Sequence, residues 1–501
     1  MMPFRTVERP GFLRMMKVAV PHYKVPTRNY FSKTEIPKMY NAVKADVKKS
    51  LAQGEFLAAT THLWTSESGR GGGLPYISFT VHYLTPDWQL ESHCLETQFF
   101  FFFQKITLLE ILQFFENMLE EWEINKTDLV SITTDNATNM TKAFEEFPDV
   151  WLGCFGHNLN LAISKALKIQ SVETAVRTCR HLVQGFSRSW KRKRGLREKQ
   201  AALTLPPLAL IHDVVTRWGS TYKMLERFIS QQQAVCATLA AERGALHLMP
   251  KDTDIIVMEQ VCQLLEPLSK FTDALCSETR VTLSAIKPVL DHITGDVLEE
   301  NEEEPALTKQ MKQAMREDLN NRYTEKAKDV MQMACFIDPR FKNNFLDAPV
   351  DDVVDRCVQE ALKLTPVQVR QEPQSTSSNS TAAAGGKGLA GLLKKITSTR
   401  QQRSEEGSGP ATPEDKVKKE VKVYMSLPSI PADDDPLVWW RGHASELPHL
   451  ARLAKKLLCI PATSVPSERI FSARGYILSS LRSHLKPEKV NMLTFLHFNL
   501  K

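Results

Sequence analysis

Apolar positions change their spacing several times along the chain, and each change marks a different kind of element. Over residues 1–50, basic and apolar positions alternate between Pro21, Pro26 and Pro37. The stretch TEIPKMYNAVKADVKKSLA has helical spacing and opens near Pro37, a residue tolerated in a first helical turn. This predicts a helical lead-in. From Phe56 the period changes: FLAATTHLWTS and YISFTVHYLT are rich in β-branched and aromatic residues, and the SGRGGGLP between them supplies a turn. A third stretch, LESHCLETQFFFFF, completes an expected antiparallel meander. Residues 105–122, KITLLEILQFFENMLEEW, return to helical spacing. LVSITTD then reads as a buried strand ending on an acid, and VWLGCF as another strand leading into the helical HNLNLAISKAL. A β-β-β-α-β order over residues 51–170 places the chain in the α/β class, with an open mixed sheet and flanking helices. Residues 171–366 are almost wholly helix-patterned and predict a large helical insertion. Residues 367–416 are rich in Ser, Thr, Gly and Gln, cannot bury a core and are expected to be a disordered linker. Residues 421–501 are apolar and helix-patterned again, a dedicated C-terminal element.

Composition narrows the function classes. The 501 residues are 42% hydrophobic and 24% charged, with a mean hydropathy of −0.28, and no apolar run is long enough to cross a bilayer; Phe99–Phe103 is far too short. No membrane partner is expected. The start has no charged-then-apolar signal layout, and none of the nine cysteines stands in a C-x-x-C pair. That argues for a reducing compartment and against a disulfide framework or a four-ligand zinc finger. The net charge of +6 is a mild excess, but Lys191, Arg192, Lys193 and Arg194, followed by Arg197 and Lys199, concentrate it. Such a cluster reads as a nuclear-import signal or a nucleic-acid contact, with a solvated helix face as the competing account.

Several separated strings resemble one family. The segment from DPLVWWRGHASELPHLARLAKKLLCIP through SVPSERIFS to VNMLTFL is similar to the C-terminal dimerisation region of hAT-superfamily transposases. HDVVTRWGSTYKMLERF resembles their Arg-Trp segment, and THLWTS, TTDNATNM and CFGHNLNLA occur in the family's order. The opening KVPTRNYFSKTEIPKMY further resembles BED zinc-finger proteins derived from such elements. The resemblance also places a BED finger ahead of this sequence, which itself holds no such Cys and His pairs.

The resemblance implies an RNase H-like mixed-sheet core, interrupted by the helical insertion and completed by the C-terminal region. In such a core three carboxylates would gather two divalent metal ions for phosphodiester exchange. The family's second acid falls on Asp135 and its third on Glu468, but the position of the first is occupied by His62. Imidazole offers a neutral nitrogen where magnesium needs an anionic oxygen, so no active catalytic set and no cofactor are expected, with room only for residual Mg2+ at Asp135 and Glu468. Taken alone, Asp135 also reads as a helix cap and Glu468 as a surface ion pair with Arg469 or a nearby basic residue. Trp64 and Trp218 match family positions that stack on DNA bases. For Trp64 core packing is an equal account, whereas Trp218, beside Arg217, leans to a surface role. Cys154 and His157 match a C-x-x-H element, read as structural because two ligands do not make a zinc site.

Trp439, Trp440, Leu457, Ile470, Phe471, Leu493, Phe495 and Leu496 carry the expected dimerisation surface, since one short segment cannot bury them alone. The expectation is therefore a nuclear, homodimeric, transposase-derived protein associated with DNA or chromatin and lacking transposase activity. An interaction scaffold without DNA binding and an active transposase are the alternatives.

Overall fold

The structure, a computed structural model, describes residues 3–65, 75–99, 107–144, 150–277, 279–347, 349–365, 412–470 and 486–500. The expected linker over residues 367–416 lies outside these residues except at its last few positions, as do Phe100–Phe103 of the phenylalanine run and the SGRGGG part of the expected turn.

Five strands form one mixed sheet: β1 (Leu57–Thr65), β2 (Pro75–Leu84), β3 (Leu90–Phe99), β4 (Leu129–Thr134) and β5 (Val150–Gly153). Their order is β3-β2-β1-β4-β5. The first three are antiparallel neighbours, as the meander predicted, while β4 runs parallel to β1 and β5 parallel to β4. A parallel pair needs a crossover, and the helix Leu108–Trp122 supplies it. Thr107 and Glu110 close its N-terminus as a capping box, with the Thr107 amide donating to Glu110 at 2.7 Å.

Side chains alternate across the pleat, so neighbouring positions serve opposite cores. Leu57, Ala59, Phe79, Val81 and Ile132 face a core closed by the helices Ile36–Leu51, Leu108–Trp122 and Pro487–Asn499. Ala58, Leu84, Val130 and Leu152 face the larger core, shared with the helix Phe155–Leu167 and the helices beyond it. From Gln170 to Leu364 the regular elements are all helical among the described residues. Helices Pro413–Ser426, Pro436–His443 and Pro448–Leu458 then return to this core. Among the described residues no helix is long and apolar enough to cross a membrane.

Candidate functional site

The last paired residues of β1 and β4 are Thr60 and Thr133. Two positions further along each chain stand His62 and Asp135, on the same face as those threonines by the two-residue period. Their side chains meet there, His62 Nδ1 lying 3.5 Å from Asp135 Oδ2. Asp135 does not cap the following helix, whose N-cap is Ala137; its Oδ1 accepts from the Ala137 amide at 3.1 Å, which fixes the carboxylate as the chain turns. His157 enters from the next strand over: β5 ends at Gly153, Cys154 is the N-cap and His157 lies in the first turn of the helix Phe155–Leu167. A side chain at Gly153 would collide with Asn136 and Asn158, whose amides bond each other at 2.6 Å, so glycine is needed to bring strand and helix this close.

Glu468 comes from the far end of the chain, in the helical turns over residues 465–470. Buried hydroxyls fasten this segment to the sheet: Ser467 Oγ lies 2.8 Å from Thr60 Oγ1 and donates to Thr60 O at 2.9 Å. Thr133 Oγ1 donates to Pro461 O, and the Phe155 amide to Ala462 O. Glu468 Oε1 thereby lies 3.7 Å from His157 Nδ1 and accepts from Ser464 Oγ at 3.3 Å. Its expected partner Arg469 donates instead to Cys276 O. The His62 and His157 rings are 5.9 Å apart and close to parallel.

This cluster sits at one end of an open cleft of about 500 Å³, also lined by Arg217, Trp218 and Lys223. Burial holds His62 below the ordinary imidazole range against the opposing pull of Glu468 and Asp135. His157 differs. Burial acts the same way on it, but the Cys154 sulfur and the two carboxylates outweigh burial and push it up to about 9. Cys154 is buried and accepts from the Ser464 amide at 3.3 Å. Its thiol is lowered, because His157 and Ser464 outweigh the burial that would raise it.

The donor set does not suit a magnesium pair. Two carboxylates and two imidazoles converge, and hard magnesium ions select oxygen over nitrogen.

The other sequence-selected residues separate into distinct places. Trp218 is only 6% exposed and belongs to the large core, while its amide is held by Asn160 Oδ1. Most of the indole is therefore packed, against the expected surface role, and only a small part of it reaches the cleft it lines. Arg217 is exposed at the cleft. Trp64 is half-buried against Tyr76.

Lys191 to Arg194 lie on the helix Trp190–Ala202, capped by Ser189, and do not line the cleft. Arg192 turns inward to Glu242 and Gly185 O. Lys191, Lys193 and Arg194 remain exposed, Arg194 paired with Glu198. Trp190, 73% exposed on the same turn, was not singled out from the sequence. An aromatic interleaved with a basic run was the available signal.

Trp440, Leu457, Ile470, Leu493, Phe495 and Leu496 are buried within this one chain, and Trp439 is half-buried. Phe471 lies outside the described residues. Within the chain these apolar side chains pack largely against other parts of the same chain.

Comparison with known proteins accords with this architecture. Residues 420–500 match the hAT family C-terminal dimerisation region, and residues 152–264 match the ZBED1 RNase-like helical domain. The chain is 27% identical over 518 residues to human zinc finger BED domain-containing protein 4, covering 99% of this chain and 42% of that protein. To human zinc finger BED domain-containing protein 6 it is 24% identical, covering 100% of this chain and 54% of the relative. To the putative AC transposase of Zea mays it is also 24% identical, covering 98% and 62%. The chain thus carries a region similar to the hAT C-terminal dimerisation region and another similar to the ZBED1 RNase-like helical domain, and its relatives are zinc finger BED domain-containing proteins and hAT transposase-like proteins. It spans about half the length of the human relatives it matches.

Proposed function

We propose that this chain is a transposase-derived nuclear protein that self-associates, contacts DNA or chromatin through phosphate-directed basic side chains, and does not cut or join DNA. The observation that carries the reading is His62 standing 3.5 Å from Asp135 and grouped with His157 and Glu468, at the position where the resemblance expects an anionic arm. The strand order β3-β2-β1-β4-β5, with His62 and Asp135 at the ends of adjacent parallel strands, supports an RNase H-like core over residues 51–170. In this reading residues 1–50 are a lead-in, 171–366 a helical insertion, 367–416 a linker, and 421–501 complete the core. The region matched over residues 420–500 supports a homodimer. The intact chain is expected to sediment as a dimer at micromolar concentration, and a monodisperse monomer there would remove this part of the proposal.

DNA contact rests on charge rather than on base reading. Three exposed cations, Lys191, Lys193 and Arg194, project from one helix beside the exposed Trp190. Each neutralised phosphate releases counterions, so affinity should fall steeply with salt and depend little on sequence. Replacing the three by alanine should weaken binding to every duplex alike and flatten the salt slope by about three. Arg192 is left in place because its pairing with Glu242 is structural. Fluorescence anisotropy across several duplexes and salt concentrations measures this. Unchanged affinity, or an altered preference among sequences, would move the DNA contact elsewhere. Nuclear import scored in the same variant separates the two uses of the cluster.

A further inference from the structure

The cluster that suits magnesium poorly has the donors of a different metal. The geometry points to a single zinc-class divalent ion held by His62, His157 and Glu468, with Asp135 orienting His62. One donor atom from each of the three residues lies within 4.8 Å of the others, and the His157–Glu468 pair is already at 3.7 Å. Zinc–nitrogen and zinc–oxygen bonds of about 2.0–2.2 Å set donors roughly 3.3–3.5 Å apart in a tetrahedron. The donors would draw together by up to about 1.5 Å to reach that spacing.

Three further observations favour this donor set. First, two imidazoles and a carboxylate are the borderline donors that zinc-class ions accept and magnesium does not. Second, Asp135 Oδ2 stands 3.5 Å from His62 Nδ1. A carboxylate drawn onto this ring nitrogen would fix the tautomer and leave the other nitrogen for the metal, the usual support for a ligating histidine. Third, the ligands are pre-positioned. His62 is on β1, His157 is in a first helical turn, and Glu468 is anchored through Ser464 and the Ser467–Thr60 hydroxyl pair. The fourth position faces the cleft beside Arg217 and Lys223, where water or a small anion completes the tetrahedron. Cys154 stays outside the set, engaged with the Ser464 amide.

This inference requires neither dimerisation nor DNA contact, and its test is independent of both. The full chain is stripped with chelator, dialysed and titrated with Zn2+ against a chromogenic competitor and, separately, with Co2+. The expected result is one equivalent of Zn2+ bound at micromolar affinity or tighter and not displaced by millimolar Mg2+. Co2+ should give intense tetrahedral visible bands without the near-ultraviolet sulfur-to-cobalt absorption that the nine cysteines would produce. His62→Asn, His157→Asn and Glu468→Gln should each weaken zinc by well over tenfold, and Asp135→Asn by about tenfold.

Circular dichroism in chelator establishes that each variant folds. Should a histidine variant fail to fold, Glu468→Gln is nearly isosteric and decides alone. No stoichiometric Zn2+ at micromolar concentration, unchanged affinity in Glu468→Gln, sulfur-type cobalt bands, or displacement by Mg2+ would each overturn the site.

Discussion

Trp440→Ala is expected to destabilise the chain by about 3–5 kcal/mol, the range for deleting a fully buried large aromatic. Trp440 is completely buried. It stacks on Tyr424 at 5.6 Å and on Trp88 at 6.1 Å, and meets Trp439 edge to face at 5.0 Å. Its Nε1–H donates to Ile337 O at 3.1 Å, and the neighbouring Tyr424 hydroxyl donates to Phe336 O at 2.9 Å. Alanine would leave both a cavity and an orphaned carbonyl. Val438→Ala, two residues away and 68% exposed, is the control, with an expected change within about 0.5 kcal/mol. Urea denaturation followed by circular dichroism compares them, and equal midpoints would contradict the packing described. Because Trp440 is spent inside the chain, loss of self-association in this variant would report unfolding and not a removed contact between copies.

Incubated with Mg2+ or Mn2+ and terminal-inverted-repeat DNA of a related element, the wild-type chain is expected to yield neither nicked nor joined product. Two-metal catalysis stabilises both the attacking and the leaving oxygen. Forfeiting several kcal/mol of that stabilisation slows the reaction roughly a thousandfold or more. His62→Asp would restore a third carboxylate beside Asp135 and Glu468, while Asp135→Ala would remove one. Product made by the wild type and abolished by Asp135→Ala would overturn the non-enzymatic proposal. Product made only by His62→Asp would identify the imidazole as the block.

Much of the architecture was legible because local patterns were strong. The strand-rich stretches correspond to β1–β3, LVSITTD to β4 and VWLGCF to β5, with a capped helix between β3 and β4 where helical spacing returned. Local patterns say less about partners that are distant in sequence. C-x-x-H at Cys154 and His157 counted as two ligands, and nothing around either residue announces that His62 and Glu468 stand beside His157. The Arg-Trp pair leans to a surface reading because Arg217 is a cation that can pair phosphate. Trp218 packs into the large helical core, built from residues distant in sequence. Likewise, WW, LLCIP and MLTFLHF announce burial without saying whether the covering surface belongs to the same chain or to a second copy.

The hydroxyl pair joining Thr60 to Ser467 spans 407 positions, and this has a consequence for biosynthesis. At about 5–20 residues per second, roughly 20 to 80 seconds separate the emergence of β1 from that of its fastening segment. Throughout that interval the ends of β1 and β4 lack their cover, and the buried threonines there still face water. The histidine–carboxylate cluster is therefore among the last features to assemble, through contacts of very high sequence separation that close late and slowly. A chaperone that shields these strand ends during synthesis should raise the yield of correctly folded protein more than one that acts on the helical region, whose neighbours emerge together.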